Sequence, residues 1–226
     1  MKKKKVNPLH DRKSLKTKGG IMAYKTFTKA VLAAGLAIAA STAAVAADAP
    51  KLKMGASDSM LSNTCAGCHG TNGASQGPAA PTISGLSKDY FVETMQGFAS
   101  GEIPSTIMGR IAKGYTDDEI TQMANFYGEK PFVKAKQNFD AKLAKKGAKL
   151  HDKYCEKCHG DGGASAEDDA GVMAGQWTPY TNWQLANFKD GSREAPKKMM
   201  KKMKKMLDKE GSKGIEALLN FYASQQ

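Results

Sequence analysis

Apolar residues at helical spacing predict two helices in the first half of the chain. The first covers residues 87–99, and its apolar face consists of Tyr90, Phe91, Met95 and Phe98. The second begins at Thr116, whose hydroxyl can cap the helix while Glu119 completes a capping box. Its apolar face consists of Ile120, Met123, Ala124 and Tyr127. These patterns predict an all-α fold.

Around these two helices the sequence predicts one shorter helix and two loops. The shorter helix runs from residue 58 to about residue 68, and a loop rich in Gly and Pro follows over residues 71–85. A second loop, over residues 100–109, contains Met108. The sequence predicts a domain boundary within residues 129–135.

The second half of the chain repeats the first at an offset of 90 residues. The equivalent positions are Cys65/Cys155, Cys68/Cys158, His69/His159, Gly73/Gly163, Gly85/Gly175, Tyr90/Tyr180, Phe98/Phe188 and Gly101/Gly191. The pair Phe126-Tyr127 near the end of the first half returns as Phe221-Tyr222. A register kept over so many positions indicates a duplicated domain, and we expect the two copies over residues 48–130 and 131–226.

Residues 1–47 have the features of a secretory leader. Lys25 and Lys29 precede an apolar run from Ala30 to Ala40, which is too short to span a bilayer as a helix. Small residues at positions 44–47 then offer a cleavage site. We expect a periplasmic mature protein with no stable membrane insertion after cleavage; the alternative is an uncleaved membrane anchor.

The net charge of the chain is +12, but most of it lies in that leader. Residues 1–47 hold ten Lys and Arg against one acid, a net of +9, whereas residues 48–226 hold 24 against 21, a net of +3. So small an excess of positive charge is a poor match for a nucleic-acid-binding protein. We therefore expect no nucleic-acid partner.

The chain contains two C-x-x-C-H motifs. In such a motif the two cysteines share one face of a helical turn, so both thiols can add to the vinyl groups of one porphyrin. The histidine that follows directly then reaches the iron as the proximal ligand. The motifs predict two covalently bound haems c, held by Cys65, Cys68 and His69 and by Cys155, Cys158 and His159.

Three other interpretations of the four cysteines are open. They could form two disulfides in an exported protein, a zinc site of four thiolates, or redox-active dithiols. None of these explains why a histidine follows both cysteine pairs directly. A zinc site would also have to join pairs that lie 90 residues apart. Haem attachment is therefore the favoured interpretation.

A proximal histidine leaves one iron position to fill, and a Met thioether commonly fills it in small electron carriers. In the first half the candidates are Met95 and Met108. Met95 lies on the apolar face of a predicted helix, where methionine usually fills the core. Met108 lies in a predicted loop that can fold over the far face of the ring. We favour Met108 as the ligand.

In the second half four methionines crowd one lysine-rich stretch, namely Met199, Met200, Met203 and Met206. The first-half spacing from His69 to Met108 is 39 residues, and the spacing from His159 to Met199 is 40. Met200 lies at 41 and Met203 at 44, so Met199 fits the repeat best. A thioether on both irons leaves no open position for substrate, which favours electron transfer over catalysis at the haem.

Six lysines are interleaved with these methionines, at Lys197, Lys198, Lys201, Lys202, Lys204 and Lys205. The simplest interpretation is the solvated face of a helix. A docking surface for an acidic partner is the alternative.

The segment Pro81-Thr82-Ile83-Ser84-Gly85 resembles the Pro-x-aliphatic-x-Gly segment of class I cytochromes c. The resemblance implies an all-α fold of two tandem class I cytochrome c-like domains, each wrapped around one covalently attached haem. It also implies that the Pro81 carbonyl accepts a hydrogen bond from His69. Gly171 stands at the equivalent position of the second half, where a carbonyl is still available on a looser backbone.

Longer runs are similar to the dihaem cytochrome subunit of flavocytochrome c sulfide dehydrogenase. They are residues 63–71, 105–115, 147–159, 174–180 and 221–226. The resemblance implies a heterodimer in which an FAD-containing flavoprotein subunit oxidises sulfide, so FAD is expected only on that partner. This chain would pass the electrons to a soluble periplasmic acceptor such as a small cytochrome c.

The resemblance also implies that Trp177 and Tyr180 pack around the second haem, although ordinary core packing is equally compatible with their sequence positions. All four cysteines belong to the haem motifs, so the flavin and the sulfide chemistry must lie elsewhere and we expect no catalytic residue in this chain. Two other function classes remain open: a free-standing dihaem carrier of a respiratory chain, and a haem enzyme of the dihaem peroxidase type. The peroxidase would need a displaceable ligand, which the paired methionines argue against.

Overall fold

The computed structural model describes residues 55–165 and 170–226, and every regular element within these ranges is a helix. The predicted leader over residues 1–47, with its apolar run and cleavage site, lies outside the described residues. Among the helices that the structure describes, none is long and apolar enough to cross a membrane. The prediction of an all-α fold is confirmed.

The described part of the first half contains five helices: α1 (Asp58–Asn63), α2 (Ala66–His69), α3 (Lys88–Ser100), α4 (Met108–Ile111) and α5 (Asp117–Gly128). The described part of the second half also contains five: α6 (Ala141–Tyr154), α7 (Gly160–Gly163), α8 (Thr178–Asp190), α9 (Lys197–Glu210) and α10 (Ser212–Ala223). Single 3-10 turns cover Thr71–Gly73 and Ala112–Gly114. The helix α7 is one irregular turn, with positive φ at Asp161 and Gly162.

The helix predicted from residue 58 to about residue 68 is interrupted. The helix α1 ends at Asn63, and a turn at Thr64 and Cys65 separates it from α2. The backbone N–H of Thr64 donates to the Leu61 carbonyl at 3.2 Å, and the Thr64 hydroxyl donates to the same oxygen at 2.6 Å. These short-range bonds compete with the helical pattern, so the chain changes direction just before the attachment motif.

The two long helices of the first half form where the apolar pattern predicted them. Ser87 caps α3 by accepting a hydrogen bond from the Tyr90 backbone at 3.1 Å. Thr116 and Glu119 form the predicted capping box, because each side chain accepts a hydrogen bond from the other residue's backbone N–H. The buried faces of α3, α5 and their neighbours build one core from Leu61, Phe91, Met95, Ala112, Ile120, Met123, Ala124 and Tyr127.

A separate core lies in the second half, where α6 and α10 form the most extensive helix pair. Gly147 permits this close packing, because a Cβ there would overlap the backbone carbonyl of Ala217. The buried residues of this core are Leu150, Met206, Ala217, Leu218, Phe221 and Tyr222. One core in each half is what a duplicated domain would produce; the boundary at residue 130 remains a prediction.

The backbone repeats the same turn in both halves. The Gly73 carbonyl accepts from the N–H of Ile83 at 2.9 Å, and the Gly163 carbonyl accepts from the N–H of Met173 at 2.8 Å. Each accepting glycine has a positive φ, +81° and +90°, which a residue with a Cβ rarely adopts. The 90-residue offset read from the sequence is therefore present in the backbone hydrogen bonds.

Polar side chains of the second half bind the backbone of the first. The buried Gln176 amide accepts from the N–H of Thr82 and donates to its carbonyl, both at 2.9 Å. The Trp177 indole N–H donates to the Ser75 carbonyl at 3.3 Å, and its ring lies against Gly77. The Gln176 amide thus pairs both the N–H and the carbonyl of Thr82. A buried contact with both hydrogen bonds formed favours one arrangement of the two halves.

Candidate haem-binding sites

The first attachment motif lies on α2 and the turn before it. Cys65 and Cys68 are both free thiols, and Cys68 is exposed. His69 is 8% exposed, and its Nδ1 lies 2.8 Å from the Pro81 carbonyl oxygen. Since a carbonyl can only accept, Nδ1 carries the proton and Nε2 keeps its lone pair for a metal. The hydrogen bond implied by the resemblance to class I cytochromes c is therefore confirmed.

The protonation state of His69 also suits a metal ligand. Burial lowers the pKa of its imidazole, and the hydrogen bond to Pro81 opposes that shift only in part. The ring is thus neutral around pH 7, as a metal-binding nitrogen must be.

Met108 is the first residue of α4 and does not lie in a loop, so its predicted local structure is wrong. Its half-buried side chain packs against the first core, as does Cys65 of the attachment motif. A four-residue helix is too short for its own hydrogen bonds to define it, so apolar spacing could not predict it. The role of Met108 as iron ligand remains a prediction.

The second attachment motif follows α6 directly, with Cys155 as the residue that caps this helix. Cys155 and Cys158 are free, and Cys158 is exposed. Burial raises the pKa of the Cys155 thiol to about 11, although a hydrogen bond from Tyr222 and the charge of Lys202 both act to lower it. Lys202 on α9 therefore lies close enough to the motif to act on it electrostatically.

His159 differs from His69 in how its ring is held. Its Nδ1 is buried and has no hydrogen-bond partner among residues 55–165 and 170–226. The Gly171 carbonyl does not take the part of Pro81 there. A Cβ at Gly171 would lie 2.6 Å from the Tyr90 hydroxyl oxygen. The side chain of Tyr90, from the first half, therefore occupies the space that a proline ring would need. Burial, followed by the nearby His151, lowers the pKa of His159.

His151 is the site residue that the sequence analysis missed. It is 1% exposed, and its Nε2 lies 3.0 Å from the carbonyl oxygen of His159. The signal was present in the repeat, because the first-half residue 90 positions earlier is the apolar Leu61. A buried imidazole that replaces leucine beside a haem motif needs polar partners. Glu156 and His159 follow it within eight residues, but Tyr222 lies 71 residues away.

The methionines of α9 differ in how deeply they are buried. Met206 is 2% exposed and belongs to the second core, while Met199, Met200 and Met203 are half-buried. Met199 is the third residue of α9, and Met108 is the first residue of α4, so both lie in the first turn of a helix at similar distances from their motifs. This similarity agrees with Met199 as the ligand, which remains a prediction.

Trp177 and Tyr180 lie at the contact between the halves. The Trp177 ring lies against Gly77, and Tyr180 is close enough to Tyr90 that their charges would interact. Burial raises the pKa of Tyr180 above its ordinary value. Packing of these rings around the second haem remains an expectation.

The residues present fit two haems c. Each half offers two unbridged thiols on one turn, a histidine with a lowered pKa directly after them (buried at His69, half-buried at His159), and a methionine in the first turn of a later helix. Within the described residues no three His, Cys, Asp or Glu side chains cluster as a metal site, which argues against the four-thiolate zinc alternative. When bound, haem iron supplies a reversible one-electron couple.

Comparisons with known proteins point to cytochromes. No family model matches the chain. It is 46% identical over 69 residues to the cytochrome subunit of sulfide dehydrogenase from Chlorobaculum tepidum, a match that covers 30% of this chain and 62% of that protein. It is 30% identical over 67 residues to cytochrome c-554(548) from Halomonas halodenitrificans, covering 28% of this chain and 81% of that protein. The chain belongs to the c-type cytochromes.

Two relatives match more of this cytochrome at lower identity. A thiosulfate dehydrogenase electron acceptor from Thiomonas intermedia is 29% identical over 141 residues, which is 58% of this chain and 64% of that protein. Cytochrome c4 from Stutzerimonas stutzeri is 28% identical over 177 residues, which is 70% of this chain and 82% of that protein. The chain thus spans less than two thirds of the sulfide dehydrogenase subunit and of the Thiomonas protein.

The fold is that of a solved dihaem-type cytochrome. The crystal structure of reduced recombinant cytochrome c4 from Pseudomonas stutzeri superimposes with a TM-score of 0.62 at 23% identity, over 75% of this cytochrome and 98% of that chain. Two tandem class I cytochrome c-like domains are therefore the architecture, as the resemblance implied. Covalently bound haem c and electron transfer follow from membership of the family.

Proposed function

We propose that this cytochrome binds two haems c and carries electrons from the FAD-containing subunit of a sulfide dehydrogenase to a soluble periplasmic acceptor. The 46% identity to a cytochrome subunit of sulfide dehydrogenase carries the proposal, because it is well above the 28–30% of the other relatives described above. The sequence runs similar to that family lie in both halves of the chain.

Each proposed ligand has a separate task. Cys65 and Cys68 anchor the first haem through thioethers, and His69 binds its iron with an orientation fixed by Pro81. Met108 completes the coordination. In the second half Cys155, Cys158, His159 and Met199 take the same roles. A thioether opposite each histidine raises the potential relative to two histidines and closes the iron to substrate.

The partner must supply the chemistry that this chain lacks. All four cysteines of the sequence are assigned to haem, so none remains for a redox disulfide. The protein therefore acts as a conduit: its folded scaffold holds two one-electron sites, while the two-electron oxidation of sulfide takes place on the flavoprotein.

A free-standing dihaem carrier is the second candidate. The match to cytochrome c4 favours it, because that match covers 82% of the relative and both halves of this chain must contribute to an alignment of 177 residues. In that case the acceptor would be a respiratory component and no flavoprotein would copurify.

The two candidates are separated by affinity purification of the tagged protein from a periplasmic extract. We expect a flavoprotein to copurify, identified by flavin fluorescence, and the haem bands of the complex to become reduced when sulfide is added. The untagged strain serves as the control, and thiosulfate is added to a parallel sample. A lone dihaem protein that sulfide reduces only slowly would make the free carrier the better answer, whereas rapid reduction by thiosulfate would point to the partner named for the Thiomonas relative.

A further inference from the structure

A buried polar network surrounds the second attachment motif. The Nδ1 of His151 lies 3.0 Å from the Tyr222 hydroxyl, and its Nε2 lies 2.7 Å from the Glu156 carboxylate and 3.0 Å from the His159 carbonyl. Both neighbours of Nε2 are acceptors, so Nε2 carries a proton that they share. The network thus joins helix α6, helix α10 and two residues of the motif.

The Glu156 carboxylate is held in place although 39% of its side chain is exposed. Its Oε2 accepts from His151 and also from the backbone N–H of Gly162 at 3.2 Å. Two donors on one carboxylate oxygen restrict its rotation. A negative charge is therefore fixed inside the motif, directly after Cys155.

Residues 55–130 of the first half form no such network. Leu61 and Ala66 stand 90 residues before His151 and Glu156. The equivalent tyrosine, Tyr127, donates to the Ser62 carbonyl at 2.6 Å instead. Within the described residues the paired imidazole and carboxylate are therefore a property of one half, so they distinguish the two haem environments.

We propose that His151 positions the Glu156 carboxylate as a fixed charge that lowers the reduction potential of the second haem. Oxidised haem carries one positive charge more than reduced haem, so a nearby carboxylate stabilises the oxidised form. An exposed glutamate without a partner would act more weakly, because water screens a mobile charge. His151 is thus a positioning residue and Glu156 carries the charge.

The test is a redox titration of the purified dihaem protein, with each haem assigned by its hyperfine-shifted methyl NMR signals. Glu156→Gln should shift the equilibrium of the second haem about tenfold toward its reduced form. For a one-electron couple this raises its reduction potential by about 59 mV, and the potential of the first haem should stay unchanged. His151→Leu, which recreates the first-half residue, should shift the second haem in the same direction. Asp152→Asn, at an exposed carboxylate of the same helix, is the control for a change in net charge.

The double variant decides whether the two residues act together. If His151 works through Glu156, then His151→Leu with Glu156→Gln should shift the second haem no more than Glu156→Gln does. Additive shifts, or a Glu156→Gln protein whose second haem is unchanged, would overturn the proposal. Should His151→Leu fail to fold, the comparison of Glu156→Gln with Asp152→Asn still decides the effect of the charge.

This inference rests on haem attachment at the second motif but not on the identity of the partner. The ratio of two haems per chain, measured by pyridine haemochrome absorbance, is checked first. A protein with two haems and no flavoprotein partner would therefore refute the sulfide dehydrogenase assignment while leaving the role of Glu156 open to the titration.

Discussion

A proximal histidine is useful to an iron only when its ring is held and its free nitrogen is neutral. The two halves reach this condition in different ways. The ring of His69 is held through its own Nδ1 by Pro81, whereas at His159 the described residues fix only the backbone carbonyl, which lies 3.0 Å from His151 Nε2, and leave Nδ1 without a partner. The same motif is thus supported by a backbone acceptor in one half and by a side-chain network in the other, so single substitutions should affect one haem at a time.

Met108→Ala should open the first haem. Loss of the thioether leaves a vacant iron position, so carbon monoxide should bind the reduced protein, and the potential of one haem should fall. The measurement is the absorbance change on adding carbon monoxide at neutral pH. Met95→Leu is the matched control, because Met95 is 5% exposed in the first core and its replacement by leucine nearly conserves side-chain volume. Carbon monoxide binding equal to that of the unmodified protein would exclude Met108 as the ligand.

Met199→Ala should have the same effect on the second haem. Met200 and Met203 are also half-buried on α9, so Met200→Ala and Met203→Ala serve as controls with identical chemistry. Only the variant that removes the ligand should bind carbon monoxide rapidly. If one of the other two does so instead, the ligand assignment moves to that residue.

Much of the site could be predicted because its information is local. Five consecutive residues define each motif, and Thr116 with Glu119 defined a helix start that the structure contains. His151 was missed because its partner Tyr222 lies 71 residues away, and the contact of Gln176 with Thr82 spans 94 residues. Met108 was placed in a loop because α4 depends on tertiary packing for its stability.

At the scale of helices, the second half depends on the crossing of α6 and α10. Gly147 allows the two backbones to approach, and α9 packs against both helices and connects to α6 through Lys146 and Glu210. Because Cys155 caps α6 and Tyr222 lies on α10, this crossing also sets the position of the attachment motif. Changes at the crossing should therefore alter both stability and the second haem.

Gly147→Ala should destabilise the second half. The added Cβ would overlap the Ala217 carbonyl, which belongs to a helix backbone and cannot move as a side chain would. Overpacking of this kind costs about 1–3 kcal/mol in free energy of unfolding, measured by chemical denaturation. Gly114→Ala is the control, because nothing lies within 4 Å of a Cβ at that position. Equal stabilities of the two variants would contradict the close crossing.

The ion pair between α6 and α9 predicts a dependence of stability on pH. The Lys146 Nζ lies 2.9 Å from the Glu210 carboxylate, and this hydrogen bond lowers the pKa of Glu210. A lowered pKa in the folded state gives stability that is present above the unfolded value of about 4.3 and is lost as the pH falls through the folded pKa. The melting temperature of Glu210→Gln should therefore be lower than that of the unmodified protein at pH 7 and equal to it in strong acid.

Glu216→Gln is the control for that measurement, since Glu216 is exposed on α10 and forms no ion pair within the described part of the chain. A difference between Glu210→Gln and the unmodified protein that persists unchanged into acid would show that the pair contributes through packing and not through charge.

At the scale of the whole molecule, the two halves carry opposite charge. Residues 55–130 hold four Lys and Arg against eight Asp and Glu, a net of −4, whereas residues 131–226 hold 18 against 12, a net of +6. The basic residues concentrate on α6 and α9. The positive charges of Lys146, Lys153 and Lys209 all act to lower the pKa of Glu210. Lysines of both helices therefore lie near one another around Glu210, and the charge of Lys202 acts on Cys155.

This asymmetry predicts which haem reacts faster with a charged reagent. Anionic hexacyanoferrate(III) should oxidise the second haem of the reduced protein faster than the first at low ionic strength, and the difference should shrink above about 0.1 M salt, where the screening length is about 10 Å. Stopped-flow absorbance measures both phases. Lys198→Glu with Lys202→Glu should slow the faster phase about threefold or more.

The control for that variant places the same change of charge on the first half, as Lys88→Glu with Lys113→Glu, both exposed there. If the field is local to α9, this control should leave the rate of the second haem nearly unchanged at about 0.1 M salt, where the screening length is about 10 Å. Equal slowing by both variants would mean that the rate follows total charge alone. Slowing confined to the α9 variant would instead make the second haem the one that an acidic partner approaches first.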